Sequence, residues 1–391
     1  MKKLLTLALA LCMLLALAAC GSGTTPTATP TTNTDTTPST EPTDDGTEPE
    51  DPPVDAEGTF EIALITDFGG IDDKSFNEGA WNGLENYAKA NNISYAYYHP
   101  FEDTATARMD NINTAVSKGA KIIICPGYLF ADAVCEAQTI YPDVQFLLLD
   151  TEPSADGATV SAEANTHSIL YKDEQAGFLA GYAAVMDGYR SLGYLGGMDM
   201  PPVVRFGYGY IQGAELAAKE LELAAGDVQI NYWYSDTFAP SDDITTKMNS
   251  WYFSGTEVVF SCGGGIYLSC ITAADANDGK IIGVDSDQAA ESDTIITSAM
   301  KNLTNSVELA LAAIYENGGT WDASRAGQTA VLGIDEDCVG LPTAAESWRF
   351  ETYSTADYET LRQRIIDGEI EISNSHTEQP AVEIVTVDYQ S

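Results

Sequence analysis

The sequence predicts an α/β protein built as two doubly wound lobes, each around a mostly parallel sheet. Three observations carry this. From residue 58 onward, short runs rich in Val, Ile, Leu and Tyr alternate with stretches of about 10–15 residues whose apolar positions recur at helical spacing, the pattern of βαβ units. The same rhythm starts afresh near residue 191. The 334 residues from 58 to 391 also exceed what one hydrophobic core usually covers.

Each element follows in order. FEIALI (60–65) reads as a buried strand, and 75–90 as a helix with Phe76, Ala80, Leu84 and Ala88 along one face. ISYAYYH (93–99) is a strand, 104–118 a helix, KIIICPG (121–127) a strand, 130–140 a helix and VQFLLLD (144–150) a strand. A short strand near 158–163 and a long helix at 172–189 close the first series. The second runs SLGYLGG (191–197), helix 206–224, VQINYWY (228–234), helix 240–254, EVVFSCGG (257–264), helix 266–277 and KIIGVDSD (280–287). TIITSAM (294–300) and a helix at 302–317 follow, and beyond 318 come strands near 329–333 and 381–388 and a helix at 355–366. On this reading lobe 1 takes 58–170 and lobe 2 takes 171–282. The chain returns to lobe 1 over 283–320, and 321–391 joins mainly lobe 2.

The first 57 residues have another character. MKKLLTLALALCMLLALAAC (1–20) has the charged start, apolar run and small residues of a secretory signal. LAAC (17–20) resembles a bacterial lipobox, so Cys20 is the expected lipidation site, with an ordinary signal as the plainer alternative. Residues 21–57, mainly Thr, Pro, Asp, Glu and Gly, bury too little surface to offset their ordering entropy and are expected to be a disordered tether.

Charge narrows the partners. The chain holds 18 basic and 59 acidic residues, a net charge of −41. Such a field repels nucleic acid, anionic lipid and nucleotides, and leaves neutral or cationic small molecules as guests. The five cysteines beyond residue 57 (Cys125, Cys135, Cys262, Cys270, Cys338) form no CxxC or Cys/His pattern, which argues against a zinc site; 125–135 and 262–270 pairing both stay open.

In open parallel sheets, ligands bind beyond the carboxyl ends of the strands. The corner GGIDDKSFNEGAWNGLENY (69–87) is such an end. Ser75 and Glu78 stand in capping-box relation, placing Asp72 and Asp73 at the positive pole of the helix. Gly69 and Gly70 let the chain turn beside a guest. Phe76, as the first helical side chain, reads taken alone as core before it reads as a ring at the site. GGMDMPPVVRFGYGYIQGAELAAKE (196–220) repeats the arrangement with Phe206, Tyr208 and Tyr210 near a helix start. Asp285 in GVDSDQ and Lys301 in SAMKN end successive strands; a carboxylate accepts vicinal hydroxyls and an ammonium donates to the same oxygens. SCGGGIY (261–267) lacks the lysine and Ser/Thr of a phosphate loop, so Gly263 marks close backbone approach to a guest. No histidine, nucleophile elbow or acid–base pair accompanies these carboxylates, so no enzyme is expected, and neither cofactor nor metal.

Taken together, DDKSFNEGAWNGL (72–84), YPDVQF (141–146), YKDEQAGFLAGYAA (171–184), LGGMDMPPVVRFGYGYIQG (195–213), GVDSDQ (283–288) and TSAMKN (297–302) resemble the basic membrane protein family, nucleoside-binding lipoproteins that deliver substrate to ABC transporters. The resemblance spans roughly 60–320. It implies a type I periplasmic-binding-protein fold, two lobes joined by crossing strands around a cleft, with a purine nucleoside as ligand. It further implies that Phe76 and Phe206 stack the base and that Asp285 and Lys301 hold the ribose. Asp72, Asp73, Ser75 and Asn77 would supply polar contacts, and Asp67 and Asp150, at strand ends, further ones. An ABC permease and a membrane reached through Cys20 are the implied partners, with no nucleic acid and a monomeric chain. The sequence departs from the pattern in its acidity and in Tyr267 and Leu268, which follow the glycines where small residues are usual. A sugar or signalling-molecule receptor of the same fold and a nucleoside hydrolase are the alternative readings.

Overall fold

A computed structural model describes residues 58–67 and 69–391; the signal segment, Cys20 and the tether lie outside them. Its first sheet begins with β1 (Ile62–Ile65), β2 (Tyr95–Tyr98), β3 (Ile122–Pro126), β4 (Gln145–Leu149) and β5 (Thr166–Tyr171), connected through α1 (Phe76–Asn91), α2 (Ala105–Ser117) and α3 (Ala131–Ile140). The alternation of β1 explains the double winding. Ile62 and Leu64 face the core shared with α1, while Ala63 and Ile65 face the core beneath α2 and α3.

The second sheet repeats the plan. After α4 (Asp173–Met186) come β6 (Ser191–Gly196), α5 (Pro201–Glu220), β7 (Gln229–Tyr234), α6 (Asp242–Phe253), β8 (Val258–Cys262), α7 (Tyr267–Asn277), β9 (Lys280–Asp285) and β10 (Ile295–Lys301). The chain ends with α8 (Leu303–Glu316), β11 (Thr329–Leu332), β12 (Val339–Gly340), α9 (Thr355–Ile366) and β13 (Thr386–Tyr389). The sheets run β11-β5-β4-β3-β1-β2 and β12-β10-β9-β8-β6-β7-β13, parallel except where β12 meets β10.

Three segments cross between lobes: β5 into α4 at Lys172, β10 into α8 at Asn302, and the stretch from β11 to β12. Lys172 (φ −80, ψ 67) and Asn302 (φ −80, ψ 64) share one inverse γ-turn conformation. Backbone bonds tie both to the third crossing, Lys172 N to Leu332 O (2.8 Å) and Asn302 N to Cys338 O (2.8 Å). In lobe 2, α4 and α5 meet backbone against backbone. A Cβ on Gly177 would overlap Phe206 O, and one on Gly213 would overlap Phe178 O, so glycine is required at both.

The structure corrects four expectations. The strand placed near 158–163 forms at Thr166–Tyr171, where Ile169 and Tyr171 are buried, while 157–161 is exposed. Helix α5 starts at Pro201 rather than 206, because proline fits the first helical turn, where no N–H is needed; Phe206 therefore sits in its second turn. Residues 283–301 stay in the second sheet, since β10 pairs along β9 before the chain crosses, so the return to lobe 1 begins only with α8 and includes β11. The capping box at Ser75 does not form. Asp73 accepts from the backbone N–H of Ser75 (2.9 Å), Asn77 (3.0 Å) and Glu78 (3.0 Å), and Glu78 accepts instead from Lys74 N (3.0 Å). The five cysteines are free, four of them buried.

Candidate functional site

The carboxyl ends of both sheets open on one cavity of about 300 Å³, at the small end of the ~300–1,000 Å³ usual for small-molecule sites. The lobes contribute matched corners. Gly127 (φ 118) and Gly263 (φ 143) end β3 and β8, each followed by a single 3-10 turn. Asp150 (φ 65) and Asp285 (φ 62) end β4 and β9 in the left-handed region, which aspartate tolerates better than most residues.

Lys301 closes the floor of the cavity. Its ammonium lies 2.6 Å from Asp150 Oδ2 and 3.1 Å from Asp173 Oδ1, and 5.0, 5.2 and 5.2 Å from the ring centroids of Phe76, Tyr171 and Phe206. Burial pulls this group down, but Asp150, Asp173 and Asp285 together outweigh it and hold the ammonium above the usual lysine range. Lobe 1, lobe 2 and two crossings thus meet on one cation.

At the α1 corner, Ser75 Oγ donates to Asp285 Oδ2 (2.5 Å) across the lobes, which is why it does not cap its own helix. Burial raises the pKa of Asp285 against the opposing pull of Lys301 and this hydrogen bond. Asn77 Nδ2 donates to Asp67 Oδ1 (3.0 Å) and Asp73 Oδ2 (3.0 Å); two carboxylates can only accept, which fixes the amide orientation. Burial pushes Asp73 up to about 6 despite the hydrogen bonds that pull it down. Asn77 Oδ1 and Asp150 Oδ1 are buried acceptors with no hydrogen-bond partner among the described residues. No group of His, Cys, Asp and Glu among those residues is placed to hold a metal ion.

A family model described as ABC transporter substrate-binding protein, PnrA-like, matches residues 60–376. The chain belongs to this family. Among its relatives, the CD4+ T-cell-stimulating antigen of Listeria monocytogenes is 29% identical over 335 residues, 80% of this chain and 88% of that protein. The ABC transporter nucleoside-binding protein BmpA of Lactococcus lactis is 29% identical over 242 residues, 59% of this chain and 64% of that one. An ABC transporter solute-binding protein from Aeropyrum pernix superposes with a TM-score of 0.67 at 21% identity, covering 81% and 94% of the two chains. The fold is that of the type I periplasmic binding proteins, and this PnrA-like chain is an ABC transporter substrate-binding protein.

Of the residues expected at the site of this PnrA-like protein, Asp67, Asp73, Phe76, Asn77, Asp150, Phe206, Gly263, Asp285 and Lys301 line the cavity. Ser75 stands behind the lining and reaches it only through Asp285. Asp72 is exposed and outside the cavity, because the turn that brings Asp73 onto the helix end sends its neighbour to solvent. Asp285 and Lys301, expected as a pair, have separate nearest partners: Ser75 for one, Asp150 and Asp173 for the other. Tyr267 is buried and Leu268 about half exposed, and neither lines the cavity.

Sequence reasoning missed Asp173, Asp103 and Phe238. Asp173 reads as one acid at a helix start and gains meaning only beside Lys301. Asp103 lines the cavity while paired with Arg108 at 2.7 Å. Phe238 lies in the loop after β7, its ring covering Gly197 and Gly263, where a Cβ would collide with it. The loop after β2, in the matching place of lobe 1, was the one available signal for it.

Proposed function

We propose that the protein is an extracytoplasmic receptor, anchored through a lipid on Cys20, that captures a purine nucleoside and presents it to an ABC permease. The observation that carries this reading is a phenylalanine-walled cavity in which both orphaned buried polar atoms, Asn77 Oδ1 and Asp150 Oδ1, are acceptors. Such a site calls for a flat ring with an N–H and for hydroxyls, the two halves of a nucleoside. Phe76 and Phe238 are its part-exposed phenylalanine rings, and the base stacks between them. Phe206, 2% exposed and packed edge-on against Phe260, backs this wall. Asn77 and Asp67 accept from the base; Asp150 and Asp285 accept from the ribose, with Lys301 offsetting their charge. Asp73 and Gly263 shape the lining, and Ser75 holds Asp285. The acidic lining disfavours a phosphate, which sets nucleosides apart from nucleotides.

Stacking contributes about 1–3 kcal/mol, whereas submicromolar binding needs about 8 kcal/mol or more, so the ribose contacts and lobe closure supply the rest. Calorimetry with inosine, guanosine and adenosine against hypoxanthine, ribose and inosine monophosphate tests this. Nucleosides bind best, and Asp285→Ala weakens inosine far more than hypoxanthine. Equal losses for both would refute the ribose assignment, ribose binding as tightly as inosine would favour a sugar receptor, and release of hypoxanthine from inosine would make the protein an enzyme.

A further inference from the structure

Outside the cavity lining, a second set of polar contacts joins the lobes. Gln288 follows β9 and is 1% exposed. Lobe 2 fixes it twice: Oε1 accepts from Val284 N (3.1 Å), and its own N donates to Ser298 Oγ (3.0 Å). Its Nε2 then donates across the boundary to the carbonyl of Lys74 (2.9 Å). Lys74 lies in the left-handed region at φ 53, a strained backbone for a lysine. Directly beside it, Ser75 Oγ bonds Asp285, and Ser286 Oγ lies 3.4 Å from Ser75 O. A strained residue, a hydroxyl diverted from its helix and a fully buried amide therefore converge on one seam, and none of Lys74, Ser75, Ser286 and Gln288 lines the cavity.

We propose that Gln288, bonding the carbonyl of Lys74 beside the Ser75–Asp285 contact, is a latch that sets how long the closed lobes hold their ligand. Bonds made only when the lobes meet favour the closed population, and ligand leaves through the open one. A neutral hydrogen bond is worth about 1 kcal/mol, so its loss lowers the closed-to-open ratio about fivefold. Because the latch touches no ligand, it acts on release and leaves the capture step of the open form alone. Gln288 is accordingly a positioning residue.

The proposal borrows only its probe, inosine, from the nucleoside reading. Gln288→Glu at pH 8 retains an acceptor for Val284 N and sets a carboxylate against the Lys74 carbonyl. Stopped-flow measurement of inosine release is expected to show at least fivefold faster dissociation with an association rate within twofold of wild type. Dissociation within twofold of wild type would overturn the latch. Small-angle scattering of the free protein decides the matter without any ligand: the variant expands if the latch holds the lobes, and superimposable profiles would refute it. If wild type fails to bind inosine, the nucleoside reading falls while the scattering comparison still judges the latch. If circular dichroism shows that Gln288→Glu does not fold, Gln288→Met, which removes the Nε2 donor to the Lys74 carbonyl and keeps the bulk of the side chain, takes its place with the same expected and refuting outcomes.

Discussion

Replacing Lys301 by methionine tests the electrostatic reasoning behind the site. Methionine keeps much of the length and apolar bulk of the lysine but removes the charge that Asp150 meets at 2.6 Å and Asp173 at 3.1 Å. Both carboxylates are buried, so neither gains water in exchange. Stripping one partner from a buried ion pair costs about 3–5 kcal/mol. An independent bound agrees: a stranded carboxylate can take up a proton, which at pH 7 costs ~4 kcal/mol for a group of ordinary pKa ~3.9. At roughly 2–4 °C per kcal/mol, Tm falls by about 10 °C. Scanning fluorimetry at pH 7 and pH 5 reads both terms, because protonation is easier at lower pH and the gap between variant and wild type should narrow by ~2.7 kcal/mol over those two units. A second variant, Lys301→Met with Asp150→Asn, should recover much of the loss. A Lys301→Met protein melting within about 2 °C of wild type at pH 7, or a gap independent of pH, would refute the view that this ammonium neutralises the floor of the cleft.

Two further outcomes follow from single carboxylates. Folding raises Asp73 from 3.8 to about 6, so the folded state holds its proton more tightly and wild type loses stability as pH rises through that window. Denaturant titrations should therefore show the stability of Asp73→Asn gaining on wild type by up to ~3 kcal/mol between the two values, and parallel pH profiles would contradict this. Glu215 accepts from the backbone N–H of Glu383 (2.9 Å), Ile384 (3.1 Å) and Val385 (2.9 Å), which seats the strand β13 beside β7. Burial alone would raise this group, but those bonds and Lys219 outweigh it and lower its pKa. Glu215→Ala should cost roughly 2–3 kcal/mol and speed amide exchange across 383–389. The loss is full above the ordinary value of 4.5 and fades as pH falls through the lowered one, so exchange unchanged at pH 7 would count against this role.

How much of this was legible beforehand depends on the range of the interaction. The alternation of apolar runs and helical spacing is local, and it placed most strands and helices within a few residues. It erred where local signals compete. The largely exposed stretch at 158–163 was read as a strand although the bulkier apolar residues of THSILY follow it, and the second-lobe helix was started at 206 although Pro201–Pro202 suits a first helical turn. At the site, residues at strand ends were found because chain direction puts every carboxyl end on one side of a parallel sheet. Ser75 shows the limit: S-x-x-E announces a cap, yet the hydroxyl has a stronger acceptor in Asp285, 210 residues away.

By itself, then, the sequence determined the α/β class, the doubling of the lobes, the corners that face each other and the strong net negative charge, since each follows from periodicity, direction and composition. Only the tertiary structure decided which charges neutralise which, that Asp173 rather than Asp285 shares Lys301 with Asp150, that Phe238 supplies a wall, and that Gln288 bridges the seam. Those pairings are set by distances of about 3 Å between residues tens to hundreds of positions apart, and burial, which gives them their strength, exists only once both lobes have folded around them.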